Sequence, residues 1–223
     1  MADLTLTFDN GPDPETTPLV LDVLARRGIR TTFFVVGERL ATPDGRALAA
    51  AAHAAGHWIG NHTYTHSGPL GTRDGADLAE QEIGRTQTAI GGLAHPHRLF
   101  RPQGGGGALG PHLFRPRDIA FLQAQRMSCV LWNAIPGDWK DPDGWVERAL
   151  TQIEARPSSQ PWTLLVLHDL PTGAMRHLDA FLDRVVGRGV RLRQDFPPDC
   201  MPLVDGVVVR PIDDLCGRSA PKE

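Results

Sequence analysis

Cysteine is scarce in this sequence, and so are long hydrophobic runs and net charge of either sign. The three cysteines lack metal-type spacing, and their odd number argues against a disulfide framework, although the sequence is compatible with a bond between Cys200 and Cys216. No apolar run approaches the roughly 20 residues of a membrane span. The formal net charge of −3 gives no reason to expect nucleic acid or an anionic membrane as a partner.

A signal peptide is also lacking, because the first predicted strand begins by residue 4. We therefore expect a cytoplasmic protein, or a secreted one if a signal has been removed. The glycines at 104–107 are not a phosphate loop, since no Gly-Lys-Ser/Thr follows them. The composition is ordinary for a globular protein, with 41% hydrophobic and 22% charged residues. Without a repeat or linker, the 223 residues predict one domain over residues 1–223.

Predicted strands alternate with predicted helices along the chain. The first strand is recognised by its residue pattern, in which Leu4, Leu6 and Phe8 alternate with threonines. This order predicts an α/β fold with a parallel sheet or barrel. Strands are predicted at 4–8, 31–36, 58–61, 99–100, 128–132, 162–167, 190–193 and 207–209, and helices at 14–27, 44–55, 74–91, 116–125, 141–155 and 175–187.

The polar residues best suited to chemistry share one kind of place, just beyond the carboxyl end of a predicted strand. In a parallel barrel those ends converge on one rim, where ligands bind. A carboxylate there, such as Asp9, is a candidate general base; the alternative is that Asp9 and Asn10 only form an Asx-turn or cap the next helix. The residues are Asp9, Asn10, His62, His66, Arg101, Asp138 and His168.

His62 and His66 lie four residues apart. On a helical turn this spacing places both imidazoles on one face, where they can bind one metal ion. The alternative for such a pair is surface or capping chemistry. An oxygen donor at Asn10 or Asp9 would complete a facial ligand set and leave positions open for water.

Five segments in order resemble the motifs of the polysaccharide deacetylase family, carbohydrate esterase family 4. They are Thr-Phe-Asp-Asn-Gly-Pro at 7–12, Asn-His-Thr-Tyr-Thr-His at 61–66, Phe-Arg-Pro at 100–102, Asp-Trp at 138–139 and Val-Leu-His at 166–168. The resemblance implies a distorted (β/α) barrel. It also implies a metal-dependent hydrolase that removes N-acetyl groups from an amino sugar or polysaccharide. The alternatives are a hydrolase of another linear C–N bond in a small molecule and a catalytically silent carbohydrate-binding relative.

The resemblance further implies roles for single residues. Asp9 would be the general base, oriented by Arg101, and His168 the general acid, oriented and kept protonated by Asp138. A surface ion pair is the alternative for Arg101, and plain core packing for Trp139.

His62, His66 and Asn10 would hold a divalent metal, with zinc expected. A backbone N–H near Gly104 would stabilise the oxyanion. The substrate would contact Trp139, Gly104, Pro102 and Val166.

Three departures from the family's usual motifs affect these expectations. Asn10 stands where the family usually has aspartate, so the site loses an anion and should bind metal more weakly. One branch of the family also has this asparagine and lacks the first aspartate of the fourth motif, as this chain does at Ile135. Gln103 and Gly104 replace a proline and an aromatic residue, from which we expect a missing groove wall and a mobile loop over residues 104–107.

Overall fold

The computed structural model describes residues 2–217. In this part of the chain one sheet of nine strands is surrounded by six α-helices. The strands are β1 (Asp3–Asp9), β2 (Thr32–Val35), β3 (Trp58–Asn61), β4 (Leu99–Phe100), β5 (Ser128–Cys129), β6 (Trp162–His168), β7 (Arg191–Arg193), β8 (Leu203–Val204) and β9 (Val207–Val208). The helices are α1 (Thr16–Arg26), α2 (Pro43–Ala54), α3 (Arg85–Ile90), α4 (Pro116–Ala124), α5 (Trp145–Glu154) and α6 (Leu178–Gly187).

The sheet order is β6-β1-β2-β3-β4-β5-β8-β9, and β7 pairs with the first half of β1. β1 to β6 are joined in parallel, whereas β8 and β9 are added antiparallel at one edge. After β5 the chain returns to the other side of the sheet, where Ala134 forms a parallel bridge with Leu165 of β6. This return curls the sheet onto itself, and the predicted α/β distorted barrel is confirmed.

β1 is buried on both faces, and its alternating side chains enter two different layers of the core. Leu6 and Phe8 pack beneath the helices together with Leu165 and Leu167 of β6. The intervening residues of β6, such as Val166, belong to the second cluster inside the barrel. Because side chains alternate along a strand, the face of β1 that carries Thr7 and Asp9 looks toward this interior.

Several predicted elements are shorter than expected. The helix predicted at 74–91 begins at residue 78, passes through a π-helical turn at Glu80–Gly84 and continues as α3. The helix predicted at 141–155 begins at Trp145, because Asp141 first accepts a turn hydrogen bond from the N–H of Gly144 at 3.0 Å. The strand predicted at 128–132 pairs only at Ser128–Cys129. The carbonyls of residues 130 and 131 instead accept hydrogen bonds from the Arg101 guanidinium.

The cysteines are free thiols, so the bond considered between Cys200 and Cys216 is not formed. Within residues 2–217, no helix combines the length and apolar character needed to cross a membrane.

Candidate active site

Asp9 ends β1 at the rim of the sheet and is 3% exposed. Its Oδ1 accepts a 2.8 Å hydrogen bond from Nη1 of Arg101, a side chain with no exposed surface. The guanidinium is fixed by further bonds to the carbonyls of Val130 and Leu131 and to the hydroxyl of Thr7. Arg101 therefore holds one oxygen of Asp9 in place, while Oδ2 is left to accept a proton.

His168 ends β6 and is bound twice to one carboxylate. Its Nδ1 and its backbone N–H donate to the two oxygens of the fully buried Asp138, each at 2.9 Å. Burial lowers the pKa of His168, but the hydrogen bond to Asp138 and the charges of Asp138 and Asp9 outweigh burial and raise the pKa above its ordinary value. Because Nδ1 is occupied, Nε2 is the atom that can exchange a proton. The Trp139 ring lies edge-on, with its centroid 4.7 Å from that of His168.

The pairing of β1 with β6 brings these two groups together. The strands are parallel neighbours, and Asp9 is the register partner of His168. Residues that are paired in this way share a face of the sheet, so both side chains belong to the interior rim. A carboxylate and an imidazole with a raised pKa stand side by side, each with its own buried partner.

His62 and His66 lie in the loop that follows β3. The expectation of a helical turn is wrong, because this loop is irregular and His66 itself has a φ of 52°. The ring centroids nevertheless lie 4.9 Å apart. Glu82 shapes the loop, since its carboxylate accepts from the backbone N–H groups of Tyr64 and Thr65 at 2.9 Å each. The hydrogen bonds to Glu82, which lies on a distant helical turn, thus hold the loop in an irregular shape instead of the helical turn that the spacing predicted.

Both imidazoles are suited to be neutral ligands. Burial lowers the pKa of His62, and burial together with the neighbouring His62 lowers the pKa of His66 to about 3. Nδ1 of His62 donates to the carbonyl of Arg101 at 2.9 Å, which leaves its Nε2 for another partner. That Nε2 lies 3.6 Å from Oδ2 of Asp9.

Asn10 supplies the third donor that the sequence predicts. Its Oδ1 is buried and accepts no hydrogen bond from the described part of the chain. A buried acceptor without a donor, next to two neutral imidazoles, fits a divalent cation. Among residues 2–217, however, no three His, Cys, Asp or Glu side chains form a group that could hold a metal. A metal site here would therefore depend on the uncharged Asn10.

A single cavity of about 290 Å³ is lined by Asp9, Asn10, His62, His66 and His168. Asp9, Asn10 and the three histidines contribute polar groups, whereas Arg101 and Asp138 lie behind the lining and act on it through their partners. All the residues predicted to contact substrate, Pro102, Gly104, Trp139 and Val166, lie in the lining.

Residues 104–107 also line the cavity, through their backbone. Nε1 of Trp132 donates to the carbonyl of Gly107 at 2.8 Å, and the His112 ring lies 3.2 Å from the carbonyl of Gly104. A Cβ on Gly104 would lie 2.7 Å from the Trp132 ring, so only glycine permits this approach. The expectation of a missing wall is therefore wrong, because the backbone forms one. The mobility of this loop stays a prediction.

Sequence reasoning missed two residues of this region. Asp169 follows His168 and is 1% exposed, and burial raises the pKa of its carboxyl to about 7. The available signal was a second acidic residue at the end of a predicted strand. Gln103 lines the cavity, and its Oε1 accepts from the backbone N–H of Gly68. Because this contact joins loops far apart in sequence, no local pattern indicated it.

The model of a known family, "Polysaccharide deacetylase", matches residues 2–108. A chitooligosaccharide deacetylase of Sinorhizobium fredii is 32% identical over 194 residues, which are 84% of this chain and 82% of that protein. A peptidoglycan-N-acetylglucosamine deacetylase of Bacillus cereus is 29% identical over 83% of this chain and 62% of its own length. The solved family 4 carbohydrate esterase of Streptomyces lividans, in complex with acetate, is 27% identical with a TM-score of 0.68, and the match covers 94% of this chain and 98% of that one. This chain belongs to the polysaccharide deacetylase family.

Proposed function

We propose that this protein is a metal-dependent hydrolase that removes N-acetyl groups from an amino sugar or polysaccharide. The observation that carries the proposal is the pair of Asp9 and His168, which are register partners on neighbouring strands and line one cavity. Each is anchored by a buried partner of opposite charge, which is the arrangement that an acid–base pair requires. Family membership and the acetylated sugars named for the relatives support the substrate class.

In this reaction Oδ2 of Asp9 accepts a proton from the attacking water. Arg101 occupies Oδ1 and thereby fixes the orientation of the carboxylate. His168 donates the proton from Nε2 to the leaving amine, because Asp138 holds Nδ1 and favours the charged form. The oxyanion needs a donor. The backbone N–H groups of residues 103–106 have no acceptor among the described residues, which makes them candidates.

His62, His66 and Asn10 would hold the divalent cation, for which zinc is our first choice. A bound divalent cation polarises a substrate carbonyl and makes water more acidic. The carbonyl of Arg101 fixes the His62 tautomer with its hydrogen at Nδ1, so Nε2 is available for coordination. Because Asn10 brings no charge, we propose that the cation is bound more weakly than in relatives with aspartate at this position.

The test is acetate release from N-acetylated chitooligosaccharides, peptidoglycan fragments and small acetamides, with zinc or cobalt added. Asp9→Asn is the inactive comparison, and Asp22→Asn is the matched control because the Asp22 side chain is 67% exposed on α1. We expect release from at least one amino sugar, lost in Asp9→Asn and kept in Asp22→Asn.

Activity on the small acetamides alone would favour the alternative hydrolase. Binding of sugars without release of acetate would favour the silent relative. Release that survives Asp9→Asn would contradict the assignment of the base.

A further inference from the structure

Asp169 is a buried carboxyl that the chemistry above does not use. It directly follows His168, and its Oδ2 accepts a 2.6 Å hydrogen bond from the hydroxyl of Thr17. Thr17 in turn accepts from the backbone N–H of Asp13 at 2.8 Å. Because Asp13 and Thr17 belong to the segment that leads from β1 into α1, Asp169 joins the end of β6 to the start of that helix.

The same carboxyl supports the turn directly after the base. A Cβ built on Gly11 would lie 2.0 Å from Oδ2 of Asp169 and 2.4 Å from its Cγ. The backbone at Gly11 therefore rests on the carboxyl, and any larger residue would push the two apart. Gly11 follows Asp9 and Asn10 at once, so this contact lies immediately beyond the proposed base and metal ligand.

We infer that Asp169 is a positioning residue, which fixes the end of β6 that carries His168 against the turn that carries Asp9 and Asn10. The sheet register aligns the two strands only up to the pair of Asp9 and His168. The pairing ends there, and the side chain of Asp169 joins the two segments that follow, because it contacts Gly11 and accepts from Thr17. This inference rests on the proposed function, because its role is to set the distance between acid and base.

The experiment compares Asp169→Ala with Asp169→Asn by steady-state kinetics on the substrate identified above. The alanine variant should lose roughly 10- to 100-fold in kcat with KM almost unchanged, since a displacement of about 1 Å can cost on the order of 10²-fold. The asparagine variant should keep most of the activity, because its amide oxygen can still accept from Thr17. A second pair, Thr17→Val against Thr17→Ser, tests the same link from the helix side. The valine variant should lose kcat, and the serine variant should retain it.

A further measurement separates this inference from the proposed function. The His168 imidazole is titrated by NMR in the wild type, in Asp169→Asn and in Asp169→Ala, which needs no turnover. The charge of Asp169 itself raises the pKa of His168, and both variants remove it. We expect the pKa of His168 to fall further in Asp169→Ala than in Asp169→Asn, because only the alanine variant releases the strand end and loosens the bonds to Asp138. If folded Asp169→Ala and Asp169→Asn have the same kcat and the same pKa of His168, the inference is overturned. A wild type without deacetylase activity would refute only the proposed function, and the imidazole titration would then decide about Asp169.

Discussion

Asp169 should make the protein less stable as the pH rises from about 4 to about 7. Burial raises the pKa of this carboxyl from 3.8 to about 7, and the charge of Asp9 adds to the effect although the Thr17 hydrogen bond opposes it. Between these values the folded protein keeps a proton that the unfolded chain has lost. The free energy of unfolding therefore falls with pH, by about 1.4 kcal/mol per pH unit. Over roughly 3 pH units the loss is about 4 kcal/mol, a large part of the roughly 5–15 kcal/mol of a typical domain.

The assay is urea unfolding of metal-free wild type and Asp169→Asn at a series of pH values from 4 to 8. The difference between the two proteins isolates Asp169, because His57 and His66, whose pKa values are lowered to about 4 and about 3, titrate in both. The wild type should lose stability relative to the variant across this range and level off above pH 7. A difference that is flat, or that grows in favour of the wild type as pH rises, would refute the reasoning, because it would mean that the buried carboxyl is already ionised.

Four other results are expected. Asn10→Asp should raise zinc affinity by about 10- to 100-fold, or about 1–3 kcal/mol of added charge interaction, and unchanged calorimetry would show that position 10 does not face the ion. Removal of metal with a chelator should abolish acetate release, and zinc should restore it; release that persists would contradict metal dependence. Asp138→Asn should lower the pKa of His168 and shift the alkaline limb of the rate profile to lower pH, since the carboxylate now raises that pKa. Asp9→Asn and His168→Ala should each cost on the order of 10²–10⁴-fold in rate, and a small loss in either would remove that residue from the acid–base pair.

Periodicity along the chain predicted most of the architecture, because strands buried on both faces leave a clear pattern. β1 shows this best: its alternating residues gave the strand, and its abrupt end gave the position of Asp9. The α/β order then implied that Asp9 and His168 end parallel strands. Periodicity could not predict the order of the strands in the sheet. That order makes β6, the last strand of the motif region, the direct neighbour of β1.

The errors arose where distant side chains override a local pattern. The spacing of His62 and His66 indicated a helical turn, but Glu82 binds the N–H groups of the loop between them and holds it in another shape. The glycines at 104–107 indicated an open loop, but Trp132 anchors one of their carbonyls and turns the segment into a wall.

The role of Asp169 also depends on residues that are distant in sequence. In the sequence it is one more acidic residue before a loop, and no local pattern indicates that it is buried with Gly11 packed against it. A carboxyl in such a place costs stability when ionised, so a residue selected only for folding would be apolar there. Its contacts with Gly11 and Thr17 supply a reason to keep it, because a hydrogen-bonded carboxyl fixes the segments after the two strands in a way that an apolar side chain cannot. A cost in folding that increases with pH, together with a gain in the alignment of Asp9 and His168, is the combination expected of a positioning residue.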